Sequence, residues 1–81
     1  MACFEKTFDS YDRKMYDWLV ERADGRAIAI NRQNLIEALI KRGMFSWQIS
    51  GSLNFFVMKG ILQIQLELLN NDNEIFFVFF P

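Results

Sequence analysis

Apolar residues recur every three to four positions in three segments of the chain, which is the spacing of one helix face. In the first segment, Met15, Trp18 and Leu19 fall on a common face. Ser10 precedes them and is a suitable N-cap, and Gly25 suits the left-handed position that follows a helix. The pattern therefore predicts a first helix that ends at Asp24-Gly25.

The second helical segment places Leu35 and Leu39 on one face. Asn31 is its predicted N-cap, and Gly43 is predicted to end it. The residues between these two helices, 26–30, read Arg-Ala-Ile-Ala-Ile. This run is too short for a helix and is flanked by residues that break helices, so it predicts a short strand.

The third helical segment follows the connection Met44-Phe45, with Ser46 as its predicted N-cap and Gly60 as its end. Its predicted buried stripe comprises Ile49, Leu53, Phe56 and Val57. Gly51 lies inside this helix, where glycine costs about 1 kcal/mol relative to Ala. Helix propensity therefore does not explain why glycine is present there.

The last part of the chain has the alternating pattern of strands. Leu and Ile at 62, 64, 66 and 68 alternate with Gln or Glu, which predicts a strand with one buried and one wet face. Residues 70–73 read Asn-Asn-Asp-Asn and are typical of a turn. Residues 75–80 are apolar throughout and predict the returning strand of a hairpin.

The order helix, strand, helix, tight turn, helix and hairpin resembles the winged-helix branch of the helix-turn-helix superfamily. The matching motif lies in residues 35–49. In it Gly43 allows the sharp turn, Met44 is expected to point into the core, and Ile49 packs the next helix. The family usually has a small residue four positions before the glycine, whereas this chain has Leu39.

This resemblance implies an α+β fold of three helices and a three-stranded antiparallel sheet, in the order α-β-α-α-β-β. The domain would span residues 10–81 behind an N-terminal arm of residues 1–9. Residues 75–80 would form the central strand, with helices on only one face of the sheet. We expect Phe4 and Phe8 of the arm, or a second copy of the chain, to cover the other face.

Composition supports one small domain inside the cell. The chain has 81 residues, of which 52% are hydrophobic, so it can form a single core. Cys3 is the only cysteine, which fits a reducing compartment, and charges near the N-terminus argue against a signal peptide. The apolar run 75–80 is too short to cross a bilayer as a helix. We predict a cytoplasmic protein that does not act at a membrane.

The chain shows no constellation of catalytic residues. It contains no histidine, and Cys3 has no base beside it in the sequence. The acidic pairs, Asp9 with Asp12 and Asp72 with Glu74, occur where helix caps and turns are expected. No glycine-rich phosphate loop is present. We therefore expect no enzyme activity, no metal, no cofactor and no small-molecule substrate.

The first functional hypothesis is a DNA-binding protein, because the resemblance makes the third helix a recognition helix. The net charge is −1, but residues 25–60 carry five cations against the single carboxylate Glu37. Gln and Asn can pair with adenine, and Lys and Arg can neutralise phosphates. The candidate contacts with double-stranded DNA are Arg32, Lys41, Arg42, Gln48, Asn54 and Lys59. The acidic residues 70–74 are expected to stay away from DNA.

Such a protein would be a transcriptional or replication regulator of the kind that viruses, phages and plasmids encode. A homodimer would double its sparse cations and bury surplus apolar surface. An alternative for the polar residues of the third helix is an ordinary solvated face.

The second functional hypothesis is a module that binds a protein partner. Glycine at position 51 lets another surface approach closely, and an exposed Phe55 can anchor in a pocket. The candidate interface residues are Phe4, Phe8, Trp47, Phe55 and Met58, and the outer face of the sheet is the alternative contact surface. Alternatively, Phe55 packs on the wing or on the first helix.

Overall fold

The computed structural model describes residues 7–69 and 72–81. Its elements are α1 (Ser10–Ala23), β1 (Ile28–Asn31), α2 (Arg32–Lys41), α3 (Ser46–Met58), β2 (Leu62–Leu69) and β3 (Asp72–Phe79). This order confirms the predicted α+β fold of three helices and a three-stranded antiparallel sheet, and it is consistent with a winged-helix-like arrangement. The described residues include no helix that is long and apolar enough to cross a membrane.

The N-cap of the first helix lies one residue before its predicted position. Asp9, not Ser10, is the N-cap, and its Oδ1 accepts from the backbone N–H of Asp12 at 2.9 Å. Asp12 Oδ2 accepts in return from the backbone N–H of Asp9 at 3.0 Å. This reciprocal pair satisfies two backbone donors, which a cap at Ser10 would not do. At the other end, Gly25 is left-handed as predicted, with φ +80°.

The caps of the second and third helices agree with the sequence more closely. Asn31 caps α2 as predicted, because its side-chain oxygen accepts from Gln33 N at 2.9 Å and Asn34 N at 3.3 Å. Gly43 follows α2 with φ +92°. Phe45, however, is the N-cap residue of α3, so Ser46 is the first helical residue and not its cap.

The sheet has the predicted central strand. Strand β3 lies between β1 and β2 and is antiparallel to both. Ile30 of β1 and Ile64 of β2 both lie opposite Phe77 of β3. The first strand starts at Ile28, two residues later than predicted, and extends to Asn31.

One face of the sheet packs against the helices and forms the core. The buried apolar residues of the sheet are Ile30, Leu62, Phe77 and Phe79. The helices and the turn between α2 and α3 contribute Met15, Trp18, Leu19, Ala23, Leu35, Leu39, Met44, Ile49, Leu53, Phe55 and Phe56. Burial of this apolar surface is the main force that holds the elements together.

The prediction that one whole face of β2 is buried is wrong beyond Leu62. Ile64, Leu66 and Leu68 are 56%, 68% and 67% exposed. The physical reason is the length of the hairpin. Strand β1 pairs with only the last four residues of β3, whereas β2 pairs along all eight. The distal half of the hairpin therefore extends past the core as a wing.

The prediction that Phe8 covers the other face of the sheet is also wrong. Its ring stacks on Phe56, with centroids 5.8 Å apart, and meets Tyr16 edge-on at 5.9 Å. Because Phe8 directly precedes the cap of α1, it is held on the helix side of the sheet. Phe4 lies outside the described residues. On the open face, Phe76 and Val78 are half-buried between their cross-strand neighbours.

Candidate functional surface

The turn between α2 and α3 sets the direction of the third helix. Gly43 is left-handed, and Met44 is buried in the core as predicted, with its backbone N–H donating to Leu39 O at 3.1 Å. The side-chain Oε1 of Gln48 then accepts from the backbone N–H of Phe45 at 3.1 Å. These contacts hold the start of α3 so that one face enters the core and the other faces outward.

A buried hydrogen bond fixes the middle of α3 against α1. Ser52 Oγ donates to Asp12 Oδ1 at 2.6 Å, and both residues are almost fully buried. A hydrogen bond to a carboxylate is short and strong, and it is costly to remove when the carboxylate is buried. The sequence indicated Asp12 as a residue of the first turn of α1, but nothing in the sequence identified Ser52 as its partner.

The outward side of α3 is uncharged. We call it the α3 face, and it consists of Trp47, Ser50, Gly51, Asn54 and Met58. Its two ends are strongly apolar, since Trp47 is 69% exposed and Met58 is 82% exposed. No residue from Ser46 to Met58 carries a charge. The face thus resembles a contact surface for another apolar surface more than one for phosphates.

Exposed aromatic rings extend the α3 face at its N-terminal end. Phe45 stacks on Trp47 with centroids 6.4 Å apart and an interplanar angle of 6°. Tyr11 of α1 also contacts Trp47, with the two ring centroids 6.4 Å apart. Sequence reasoning missed Phe45 and Tyr11 as surface residues, because Tyr11 falls on the apolar stripe of α1 and Phe45 was assigned to a connection.

A groove separates α3 from the wing. It has a volume of about 430 Å³ and is lined by Arg32, Asn54, Val57, Met58, Ile64, Ile75 and Phe77. Apart from Arg32 and Asn54 the lining is apolar, and Arg32 is exposed where α2 begins. An apolar side chain of a partner can enter here beside a single cation.

Of the predicted DNA contacts, the structure brings only Arg32 and Asn54 together, at the groove. Arg32 and Lys41 are the first and last residues of α2, so about 15 Å of helix lies between them. Arg42 is directed toward α1, where its Nη1 lies 3.9 Å from Glu21 Oε2. Lys59 Nζ lies 5.9 Å above the ring of Phe55 at the end of α3. Of these cations, Arg32 alone lines the groove beside the α3 face.

The two polar candidates on α3 differ in exposure. Asn54 is exposed on the α3 face, as a contact residue must be. Gln48 is buried, and its side-chain oxygen accepts from the backbone of Phe45, so its proposed role as a base reader is wrong in this arrangement. From the third position of a helix a Gln side chain can accept from the N-cap backbone N–H, but with Ser46 as the predicted cap the sequence did not indicate this role for Gln48.

The predicted interface residues also divide into two groups. Trp47 and Met58 are exposed, as a contact role requires, and Phe8 is partly exposed against the helices. Phe55 is buried, which corrects its prediction as an exposed anchor. Its ring packs against Phe8 and Phe56, with centroids 6.4 Å and 6.1 Å away. The alternative placed Phe55 on the wing or on the first helix, whereas these ring contacts are with Phe8 of the arm and Phe56 of α3.

Among the described residues, no group of three or more Cys, Asp or Glu side chains could hold a metal ion. The α3 face and the adjoining groove are the candidate site. No protein-family model, curated protein or solved structure matches the chain.

Proposed function

We propose that the protein is an interaction module whose α3 face and adjoining groove bind an amphipathic helix of a protein partner. The observation that carries the proposal is the absence of charge from Ser46 to Met58 on a helix whose outward side ends in Trp47 and Met58. Large exposed apolar residues at both ends of a helix face are suitable anchors for a second helix.

The same observation argues against the DNA-binding hypothesis. Proteins that read DNA obtain much of their affinity by neutralising phosphates along the contact surface. Here the α3 face has no cation, Arg42 lies beside Glu21, and Gln48 is occupied by a backbone donor. A protein partner needs none of these groups, so the second hypothesis accounts for the surface better.

Charges at the rim indicate the chemistry of the partner. Arg32 lines the groove, and Lys59 follows the last turn of α3. No carboxylate lies on α3 to oppose them. We propose a partner helix with apolar residues at helical spacing for the groove and with Asp or Glu beside them. Rim charges of this kind raise the association rate and specificity more than the affinity.

Selection from a display library of helical peptides tests this function. We expect enrichment of amphipathic peptides with acidic flanks, and we expect Met58→Asp to weaken the binding of the best peptide by about tenfold or more. Ile40→Asp is the matched control, because Ile40 is an exposed aliphatic residue on α2. Isothermal titration calorimetry provides the dissociation constants.

Two results would overturn the proposal. One is a library that yields no peptide sensitive to Met58→Asp. The other is a gel shift in which the protein binds duplex DNA with an affinity that falls steeply as salt increases, which would support the DNA-binding alternative.

Gly51 supplies a separate prediction. A Cβ added at Gly51 would meet no atom within 4 Å, so internal packing does not require glycine there. We expect Gly51→Ala to raise the free energy of unfolding by about 0.5–1 kcal/mol, because Ala is the better helix former. The methyl group would also hold a partner helix away from the α3 face and weaken peptide binding.

Urea denaturation and peptide titration of the same Gly51→Ala sample measure both effects. Asn34→Ala, at an exposed position of α2 outside the α3 face and the groove, is the control for propensity alone. A Gly51→Ala protein that is more stable and binds the peptide as well as the unmodified chain would contradict the close approach.

A further inference from the structure

We infer that β2 pairs edge to edge with β2 of a second copy of the chain, which joins two three-stranded sheets into one of six strands. This inference concerns the sheet edge and does not depend on the proposed function of the α3 face. In the strand order β1-β3-β2, β2 is an edge strand. Among the described residues, its outer side therefore has no neighbouring strand.

The β2 edge lacks the features that usually prevent such pairing. Edge strands are commonly protected by Pro, by Lys, by a bulge or by being very short. Strand β2 has eight residues, pairs with β3 in unbroken register, and reads Leu-Gln-Ile-Gln-Leu-Glu-Leu-Leu. Glu67 is its only charged residue. The backbone donors and acceptors on its outer side are therefore available to another strand.

The side chains of β2 favour a self-complementary antiparallel register centred on Gln65. In this register Ile64 lies beside Leu66 of the second copy, and Leu62 lies beside its Leu68. On the other face, Gln65 lies beside its own copy and Glu67 beside Gln63. Apolar residues thus meet apolar residues, and the carboxylates meet amides. Within one chain, Gln65 Nε2 already donates to Glu67 Oε1 at 3.2 Å.

Neighbouring registers are less favourable for the same side chains. Centring the pair on Glu67 places two like charges directly opposite each other, which is destabilising in a sheet. Centring it on Leu66 places Gln63 opposite Leu69. A shift by one residue relative to the second copy would place apolar side chains beside polar ones. The register on Gln65 avoids all three mismatches.

Pairing in this register also covers the exposed part of the wing. Ile64, Leu66 and Leu68 are more than half exposed on one continuous face. Opposed residues in an antiparallel pair have Cβ atoms about 4.5–5.5 Å apart, so each of these side chains gains an apolar neighbour. The helices of both copies then lie on the same side of the joined sheet. The contact is made by the edge strand and by no residue of the α3 face, and Ile64 is the one groove residue that takes part in it.

Sedimentation over a range of concentrations tests the association. We expect the chain to reach a mass of about twice 9.6 kDa. Leu66→Lys should raise the dissociation constant of the dimer by about tenfold or more, because it puts a charge at the centre of the paired edge. Ile40→Lys is the matched control, since it makes the same kind of change on an exposed residue of α2. Circular dichroism verifies that both variants are folded.

Thiol cross-linking tests the register in a Cys3→Ala background. Gln65→Cys should form a covalent dimer with a short bifunctional thiol reagent, because the register places position 65 opposite itself. Gln63→Cys should cross-link much less, because its neighbour is position 67. The inference fails if the chain is monomeric at all concentrations, if Leu66→Lys leaves the dimer intact, or if both cysteines react equally.

The experiments on the dimer and the experiments on peptide binding can succeed or fail independently. A Leu66→Lys monomer that still binds the selected helical peptide would show that the α3 face acts without the edge. A dimer that binds no peptide would support the edge contact and remove the proposed function.

Discussion

Replacing Phe56 by Ala should lower the free energy of unfolding by about 3–5 kcal/mol. Phe56 is fully buried in α3, and its ring stacks on Phe8 and meets Tyr16 edge-on at 6.3 Å. Removing the ring leaves a cavity and takes away the surface on which Phe8 packs. A domain of this size has a total stability of only about 4–12 kcal/mol. The variant is therefore expected to be unfolded in part or largely at moderate temperature.

Urea denaturation followed by circular dichroism measures this loss. Phe45→Ala is the matched control, because Phe45 is 63% exposed and makes its aromatic contact at the surface. We expect the control to cost less than about 1 kcal/mol, as surface substitutions usually do. Equal losses for the two variants would contradict the assignment of Phe56 to the centre of the core.

The position of Phe8 explains why this core includes the residues before α1. Its ring lies within 6.4 Å of the rings of Tyr16, Phe55 and Phe56. The guanidinium of Arg13 lies 5.5 Å from the same ring. Phe8 thus packs between α1 and α3 and contributes to the cover over Phe55. The domain begins before the first helix, at least at Phe8.

The elements and their order could be predicted from the sequence because their signals are local. Helical spacing, Asn31 as a cap and Gly43 as a stop depend on residues a few positions apart, and the structure confirms each. The central position of β3 could be predicted because residues 75–80 are apolar on both faces. Such a strand needs a neighbour on each side to be stable.

The surface was harder to predict because exposure depends on distant residues. Alternation in β2 indicates two faces, but it does not indicate how far the helices extend over one of them. Phe55 lies off the main apolar stripe of α3, and the residues that pack against it include Phe8, which lies 47 positions earlier in the chain. The capping role of Gln48 depends on Phe45 being the N-cap, a residue type that gives no capping signal in the sequence.

The differences between the predicted and the observed surface all make the candidate site less polar. On the helix predicted to read DNA, the side chain of Gln48 accepts from the backbone N–H of the N-cap residue. Arg42 is directed toward Glu21. In their place, the structure adds exposed apolar surface on Phe45 and on the wing. A surface that loses polar contacts and gains apolar ones is better suited to a protein partner than to nucleic acid.

Replacing Ser52 by Ala should lower the free energy of unfolding by about 1–3 kcal/mol. Ser52 Oγ donates to the fully buried Asp12 Oδ1 at 2.6 Å, so the variant takes a hydrogen bond from a carboxylate that water cannot reach. The loss should appear even though Ala is a better helix former than Ser. Ser52→Ala also loosens the contact between α1 and α3 that positions the α3 face, so peptide affinity should fall with stability.

Ser50→Ala is the control for this last prediction, because Ser50 is an exposed serine two positions away on the same helix. We expect its free energy of unfolding to change by less than about 0.5 kcal/mol. The comparison by urea denaturation cancels the effect of helix propensity, which is the same for both changes. If the two variants are equally stable, the bond to Asp12 does not stabilise the fold. The orientation of α3 must then depend on the Gly43 turn and the packing of Ile49, Leu53 and Phe56 alone.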